Sequence, residues 1–177
     1  MTFDRQGNET PLIKHISSWS HLSPLSIEQW NGKNESEYEQ KEYNYTGTFK
    51  LESSENFGQF LTEMGVSYFL RKLAESMSSE YIIDVDSTRT NYTLKTVTPF
   101  REAVITFQDG KEFNVRRMDG TIVKSVIHIN GPKWTQLMYG KNSTDPNITV
   151  IREFDDNGIK ATFMINKIRA VRNYVRI

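Results

Sequence analysis

The chain has 177 residues, with 22 lysines and arginines balanced by 22 aspartates and glutamates, and it has no cysteine. A net charge of zero gives no reason to expect a nucleic acid partner, and the lack of cysteine excludes disulfides, thiolate metal ligands and a cysteine nucleophile. No apolar run approaches the roughly 20 residues of a membrane-spanning helix, and no basic segment precedes an apolar one at the N-terminus, so we expect a cytosolic protein without a secretory signal.

Residues 1–44 form a polar extension that we predict to be mostly disordered. It has no apolar period and contains the charged stretch KNESEYEQKEY. Pro11 and Pro24 would interrupt a long helix, which leaves room for a short one around residues 26–30. His15 and His21 lie on a predicted loop without supporting carboxylates, so solvated side chains are a better interpretation than a metal site. We place the folded domain at residues 45–177.

The domain is predicted to open with a short strand, TGTFKLES, and two short amphipathic helices over residues 54–64 and 66–77. Ser53 and Ser54 are candidate N-caps of the first helix, and Gly65 is placed to end it. Apolar residues recur at the i, i+3, i+4 and i+7 positions of one helix face: Phe57, Phe60, Leu61 and Met64, then Val66, Phe69, Leu70, Leu73 and Met77. Two helices separated by one glycine indicate a helix-turn-helix lid.

Nine further segments have strand composition: YIIDV, NYTLKTV, EAVITF, KEFNVRR, TIVKSVIHI, KWTQLMY, ITVIREF, IKATFMIN and AVRNYVRI. Several joints carry residue pairs that tolerate the positive φ of tight hairpins: Asp109-Gly110, Asp119-Gly120, Asn130-Gly131 and Asn157-Gly158. Ten antiparallel strands in sequence order would expose two long edges unless the sheet closed. We therefore predict an all-β, ten-stranded up-and-down barrel with a helical cap, wide enough to hold a ligand.

Three parts of this sequence resemble one known family, the intracellular lipid-binding proteins, which include fatty-acid-binding and cellular retinoid-binding proteins. They are GTFKLESSENF at 47–57, GVSYFLRKLA at 65–74, and the late segments IREFDDNGIK and VRNYVRI. The likeness extends over residues 46–177 and leaves out the extension. It implies a flattened ten-stranded antiparallel barrel of the lipocalin-like (calycin) type, capped by two short helices.

The final strand leaves one orientation open. Arg172 and Tyr174 share a face, but the opposite face carries Val171, Val175 and Ile177, and charges are rarely buried, so the alternation alone favours Arg172 outside. The resemblance implies the reverse. In the family an Arg on a late strand and an Arg-x-Tyr on the last strand hold the ligand carboxylate inside the barrel. The matching residues of this sequence are Arg152, Arg172 and Tyr174.

The resemblance also implies a set of pocket and portal residues: Phe57, Phe100, Met118, Asp119, Gln136, Met138 and Phe163. For the apolar members, packing in a filled core would produce the same spacing and stays an alternative. Met138 stands where many family members carry a polar residue, which predicts a drier pocket.

The implied function is an intracellular, monomeric carrier of long-chain fatty acids or similar apolar carboxylates, with no cofactor and no metal. A retinoid carrier is the nearest alternative, and a scaffold that recruits a partner through residues 1–44 is a third. No nucleophile and base stand together, so catalysis ranks below binding. Arg71 and Lys72 on the second helix would allow transient membrane contact or nuclear entry, although so little charge is better explained as a solvated helix face.

Overall fold

A computed structural model of the protein describes residues 43–177. Its ten strands are β1 Gly47–Glu55, β2 Glu80–Val85, β3 Tyr92–Thr98, β4 Arg101–Phe107, β5 Glu112–Arg116, β6 Ile122–Asn130, β7 Lys133–Met138, β8 Ile148–Phe154, β9 Gly158–Ile165 and β10 Ile168–Arg176. Helices α1 (Phe57–Glu63) and α2 (Tyr68–Ser76), here called the lid helices, lie between β1 and β2. The predictions made for residues 1–42 lie outside the described residues.

All ten strands belong to one antiparallel sheet with the order β4-β3-β2-β1-β10-β9-β8-β7-β6-β5. The pairing of β1 with β10 joins the first and last strands and curls the sheet into a barrel. This confirms the predicted ten-stranded barrel with two helices. The prediction that the sheet closes completely was wrong at one place. Strands β4 and β5 lie at the two ends of the strand order, and no backbone ladder joins them. Side chains of β4 and β5 next to this gap line a cavity, so the two strands are not packed against a common core there.

The first lid helix begins later than predicted and is not capped by a serine. Strand β1 continues through Ser53 and Ser54, which pair with β10 after a register shift, and the helix starts only at Phe57. Asn56 precedes it in the left-handed conformation, with φ 56° and no side-chain capping bond. Asparagine tolerates this conformation better than most residues. Gly65, with φ 82°, ends the helix where the sequence predicted.

Three of the four predicted glycine turns have the expected backbone. Gly110, Gly120 and Gly131 adopt φ values of 68°, 88° and 53°. The prediction of positive φ was wrong for Asn157-Gly158. There Asp155 Oδ1 accepts bonds from the N–H groups of Asn157 and Gly158 at 2.8 and 2.7 Å. Glycine is needed at 158 because a Cβ would collide with the backbone oxygen of Tyr174.

An aromatic cluster fills the end of the barrel away from the lid helices. Trp134 is fully buried at its centre, with ring centroids of Tyr45, Tyr92, Phe107 and Phe154 between 4.8 and 5.5 Å away. A second cluster lies under the lid, where Phe57, Phe60 and Leu61 pack with Ile148 and Ile165. The interior is therefore solid at one end, and the remaining space lies towards the helices. In the described part of the chain, no helix has the length and apolar character needed to cross a membrane.

Candidate functional site

A cavity of about 480 Å³ lies between the lid helices and the barrel wall. This volume falls within the range of small-molecule pockets, about 300–1,000 Å³. Most of its lining is apolar and comes from the lid, β3, β4 and the strands β7 to β10. Among the described residues, five arginines line it and no aspartate, glutamate, lysine or histidine does. The cavity is therefore mostly apolar but carries a net positive charge in its lining.

The strand register brings two of these arginines into one row. Arg152 on β8 and Arg172 on β10 both pair with Ala161 on the intervening strand β9. Directly paired residues share a face of the sheet and have Cα atoms roughly 5 Å apart. The Cα atoms of the two arginines are therefore about 10 Å apart. Ala161 is fully buried and leaves room between them, and Arg152 and Arg172 are only 5% and 6% exposed.

Arg172 connects the barrel wall to the lid. Its Nη2 donates to the carbonyl of Ala74 on α2 at 3.0 Å, and its Nε donates to Ser54 Oγ at 3.2 Å. The guanidinium carbon lies 3.5 Å from the centroid of the Phe57 ring. All of these partners are neutral. A buried cation whose partners are neutral is costly, and an anion in the cavity would reduce that cost.

Arg152 has a different set of partners. Its Nη1 donates to Gln136 Oε1 at 3.1 Å, and Gln136 Nε2 in turn donates to Ser125 Oγ at 3.1 Å. Ser125 Oγ in turn donates a hydrogen bond to the carbonyl of Leu137 at 2.9 Å. Arg152 Nε is buried and has no hydrogen-bond partner among residues 43–177. The glutamine thus fixes one side of the guanidinium, while a charged N–H remains unused.

Tyr174 adds a hydroxyl beside the two cations. Its oxygen lies 3.3 Å from Ser79 Oγ, which also lies 3.5 Å from Arg172 Nη1. Its ring stacks on Tyr81 at a centroid distance of 4.2 Å. Burial raises the pKa of Tyr174 far above its usual value, and the neighbouring Tyr81 raises it further. The phenol therefore stays protonated at neutral pH and is able to donate a hydrogen bond.

The other predicted pocket residues fall into three groups. Gln136 is buried and lines the cavity together with the apolar residues Phe57, Met138 and Phe163. Phe100 and Met118 also line it but are 72% and 45% exposed, which places them at its mouth. Asp119 does not line the cavity; its carboxylate lies 3.2 Å from Arg117 Nη2 at the β5–β6 turn.

The sequence reasoning missed several lining residues. No role in the site was predicted for Ser79 or Tyr81, which both contact Tyr174. Arg117 was missed although it is buried and lines the cavity. Alternation offered a signal, because Phe113, Val115 and Arg117 share one face of the segment KEFNVRR and Val115 lines the cavity as well.

Comparison with known proteins assigns this architecture to a family. No family model matches the sequence, but individual proteins match most of its length. A fatty acid-binding protein from Tyrophagus putrescentiae is 38% identical over 133 residues, which are 73% of this chain and 95% of that protein. The chain belongs to the intracellular lipid-binding protein family. The resemblance seen in the three sequence stretches is thereby confirmed.

The chain is also similar to members of the lipid-binding family whose names mention different ligands. Cellular retinoic acid-binding protein 1 from Hippocampus comes is 33% identical over 114 residues, 55% of this chain and 83% of that protein. The solved fatty acid binding protein of Schistosoma mansoni, in complex with arachidonic acid, has a TM-score of 0.69 and 29% identity, covering 75% of this chain and 96% of its own.

Proposed function

We propose that the protein is a non-enzymatic, monomeric cytoplasmic carrier that binds a long-chain fatty acid, or a similar apolar carboxylate, inside the barrel. The observation that carries this proposal is the pair Arg152 and Arg172, two buried cations with neutral partners that face an otherwise apolar cavity. Together with the protonated Tyr174 they offer convergent donors for one carboxylate. The apolar lining offers a surface for the tail, and the names of the relatives fit this ligand class.

The tail and the head of such a ligand would contribute differently. Burying one methylene contributes about 0.8 kcal/mol, so a tail of about fifteen would contribute on the order of 12 kcal/mol before the costs of association. Each charge-assisted hydrogen bond to the head contributes about 1.5–3 kcal/mol. The tail therefore sets most of the affinity. Arg152, Arg172 and Tyr174 set the preference for acids over alcohols and esters, and the direction of insertion.

A retinoid carrier is the second candidate, favoured by the match to a cellular retinoic acid-binding protein. Both ligand classes carry a carboxylate on an apolar body, so the arginine pair suits either. Extraction of the purified protein followed by mass spectrometry would identify co-purified lipid. Displacement of the fluorescent probe 1-anilinonaphthalene-8-sulfonate by oleate and by retinoic acid would then rank the two. Displacement by neither acid would contradict the carrier proposal.

The outer face of α2 supports a further part of this proposal, transient contact with membranes. Tyr68, Phe69 and Leu70 are exposed, Phe69 to 74%. The adjoining cations are partly engaged within the helix region: Arg71 Nη1 donates to the carbonyl of Val66 at 2.8 Å, and Lys72 pairs with Glu75 at 2.8 Å. Apolar insertion beside the cavity mouth, rather than net charge, would then hold the protein at a membrane surface.

Replacing Phe69 by serine is expected to lower affinity for anionic vesicles about tenfold, because one exposed aromatic anchor is lost. Phe69 does not line the cavity, so fatty acid affinity should stay unchanged. Vesicle co-sedimentation and transfer of a fluorescent fatty acid would measure both properties. Val104→Ser, at an exposed apolar residue on β4, is the matched control. Equal losses for the two variants would argue against a docking role of the lid.

A further inference from the structure

Arg117, just after β5, is a third buried arginine of the cavity wall. The residue is 8% exposed, and its Nη2 lies 3.2 Å from Asp119 Oδ2. Its Nε is buried without a hydrogen-bond partner among the described residues. A guanidinium has five N–H donors, and a single carboxylate contact leaves most of that capacity unused.

The β5–β6 turn fixes this arginine firmly. The N–H of Arg117 donates to the carbonyl of Thr121 at 2.8 Å, and the N–H of Gly120 donates to the carbonyl of Arg117 at 3.0 Å. Asp119 is shared between two tasks, since its Oδ1 also accepts the N–H of Thr121 at 2.8 Å. The carboxylate therefore accepts a hydrogen bond within the turn as well as contacting the guanidinium. The arginine is held in place while its Nε still lacks a hydrogen-bond acceptor among the described residues.

The charge around Arg117 favours an anion. Arg101 at the start of β4 and Arg116 at the end of β5 also line the cavity, and both are exposed at its mouth. Arg116 Nη1 donates to the carbonyl of Gly120 at 3.0 Å, a neutral acceptor. Arg101, Arg116 and Arg117 thus place three cations in a cavity lining that holds no carboxylate among the described residues.

The backbone of Arg117 and the backbones of Arg152 and Arg172 lie at different levels of the barrel and on different parts of its wall. Strand β5 ends at the lid end of the barrel, whereas Arg152 and Arg172 are each four residues in from the lid end of their strands. At roughly 3.3 Å per residue, their Cα atoms lie about 13 Å further along the barrel than the lid ends of those strands. Strands β5 and β10 are also five places apart in the order of ten, on facing walls. Apolar side chains line the space between.

We propose that the cavity is built for an acid with a second acidic group at the far end of its chain, a long-chain α,ω-dicarboxylate. This rests on the proposed carrier function. The first carboxylate binds between Arg152 and Arg172, the apolar chain crosses the cavity, and the second carboxylate accepts hydrogen bonds from Arg117 at the mouth. The protonated Tyr174 serves only the first carboxylate, so the two ends are not equivalent.

The test compares hexadecanedioic acid with palmitic acid by displacement of 1-anilinonaphthalene-8-sulfonate from the full chain. Wild type is expected to bind the diacid at least as tightly as palmitate. Arg117→Met should weaken the diacid about tenfold and change palmitate less than twofold. Arg169→Met, at an exposed arginine on β10, is the matched control and should change neither. The double variant Arg117→Met/Asp119→Asn removes both charges, and it gives the same comparison if the single variant folds poorly.

Each other outcome overturns the inference and can be attributed. If palmitate itself does not bind to wild type, the carrier function fails and the dicarboxylate site fails with it. If palmitate binds but the ratio of the two affinities is the same in wild type and both Arg117 variants, only the second site is wrong. If wild type takes two palmitates and Arg117→Met takes one, Arg117 serves a second monoacid instead of the far end of one diacid.

Discussion

Oleate is expected to bind about ten- to hundredfold more weakly to Arg152→Met than to wild type, whereas methyl oleate should bind to both equally. The variant removes one or two charge-assisted hydrogen bonds to the carboxylate, each contributing about 1.5–3 kcal/mol. Methionine keeps the apolar stem and fills the space, so the contribution of the tail is retained. The ester has no anionic head to lose. Titration calorimetry, with probe displacement for the poorly soluble ester, would measure both ligands.

Arg152 is a cleaner test than Arg172. Arg172 also donates to the carbonyl of Ala74 on α2, so its removal would loosen the lid and weaken acids and esters together. The exposed Arg169 on β10, the strand of Arg172, provides the control. Arg169→Met should leave oleate affinity unchanged. Equal weakening of oleate and methyl oleate by Arg152→Met would mean that Arg152 shapes the cavity without binding the head group.

Local sequence pattern predicted the elements of the fold well and failed where distant strands decide the outcome. Strand composition and hairpin residues located all ten strands, and the helical period of the apolar residues located both helices. Ser53 and Ser54 have the chemistry of helix caps, but pairing with β10 keeps them in β1. The role of Gly158 depends on the backbone of Tyr174, which no local window contains. The gap between β4 and β5 depends on the cavity beneath it, which composition does not reveal.

The site was harder to predict because it reverses the usual burial rule. Alternation placed the apolar Val171 and Val175 inside and Arg172 outside, yet the structure buries Arg172 and Tyr174 and leaves both valines only half-buried. A cavity that faces a polar group needs charged residues where a filled core would have apolar ones. Family resemblance supplied that information for three residues. It was silent on Arg117, although Arg117 shares one face of its segment with Phe113 and Val115.

Burial of Arg152 in the cavity wall predicts that the ligand-free protein is less stable than a variant with apolar residues at the same positions. Arg152 is buried with neutral partners and an unused Nε. Replacing a buried charged network by apolar residues of similar volume is often stabilising by about 1–4 kcal/mol. The free energy of unfolding of delipidated Arg152→Met/Gln136→Leu should therefore exceed that of wild type by an amount in this range, while oleate affinity falls. Urea denaturation of the delipidated proteins would measure the difference.

Comparison with the single variant Gln136→Leu separates this effect from general repacking. Alone, that substitution removes the acceptor of Arg152 Nη1 and the donor to Ser125, so it should lower the free energy of unfolding by about 1–3 kcal/mol. The free energy of unfolding falls in the single variant and rises in the double variant only if the buried charge of Arg152 is what destabilises the empty barrel. A double variant less stable than wild type would show that Arg152 supports the empty barrel. Stabilisation accompanied by loss of oleate would instead mean that this cation is kept for the ligand, because binding of an anion relieves a cost that the empty barrel carries.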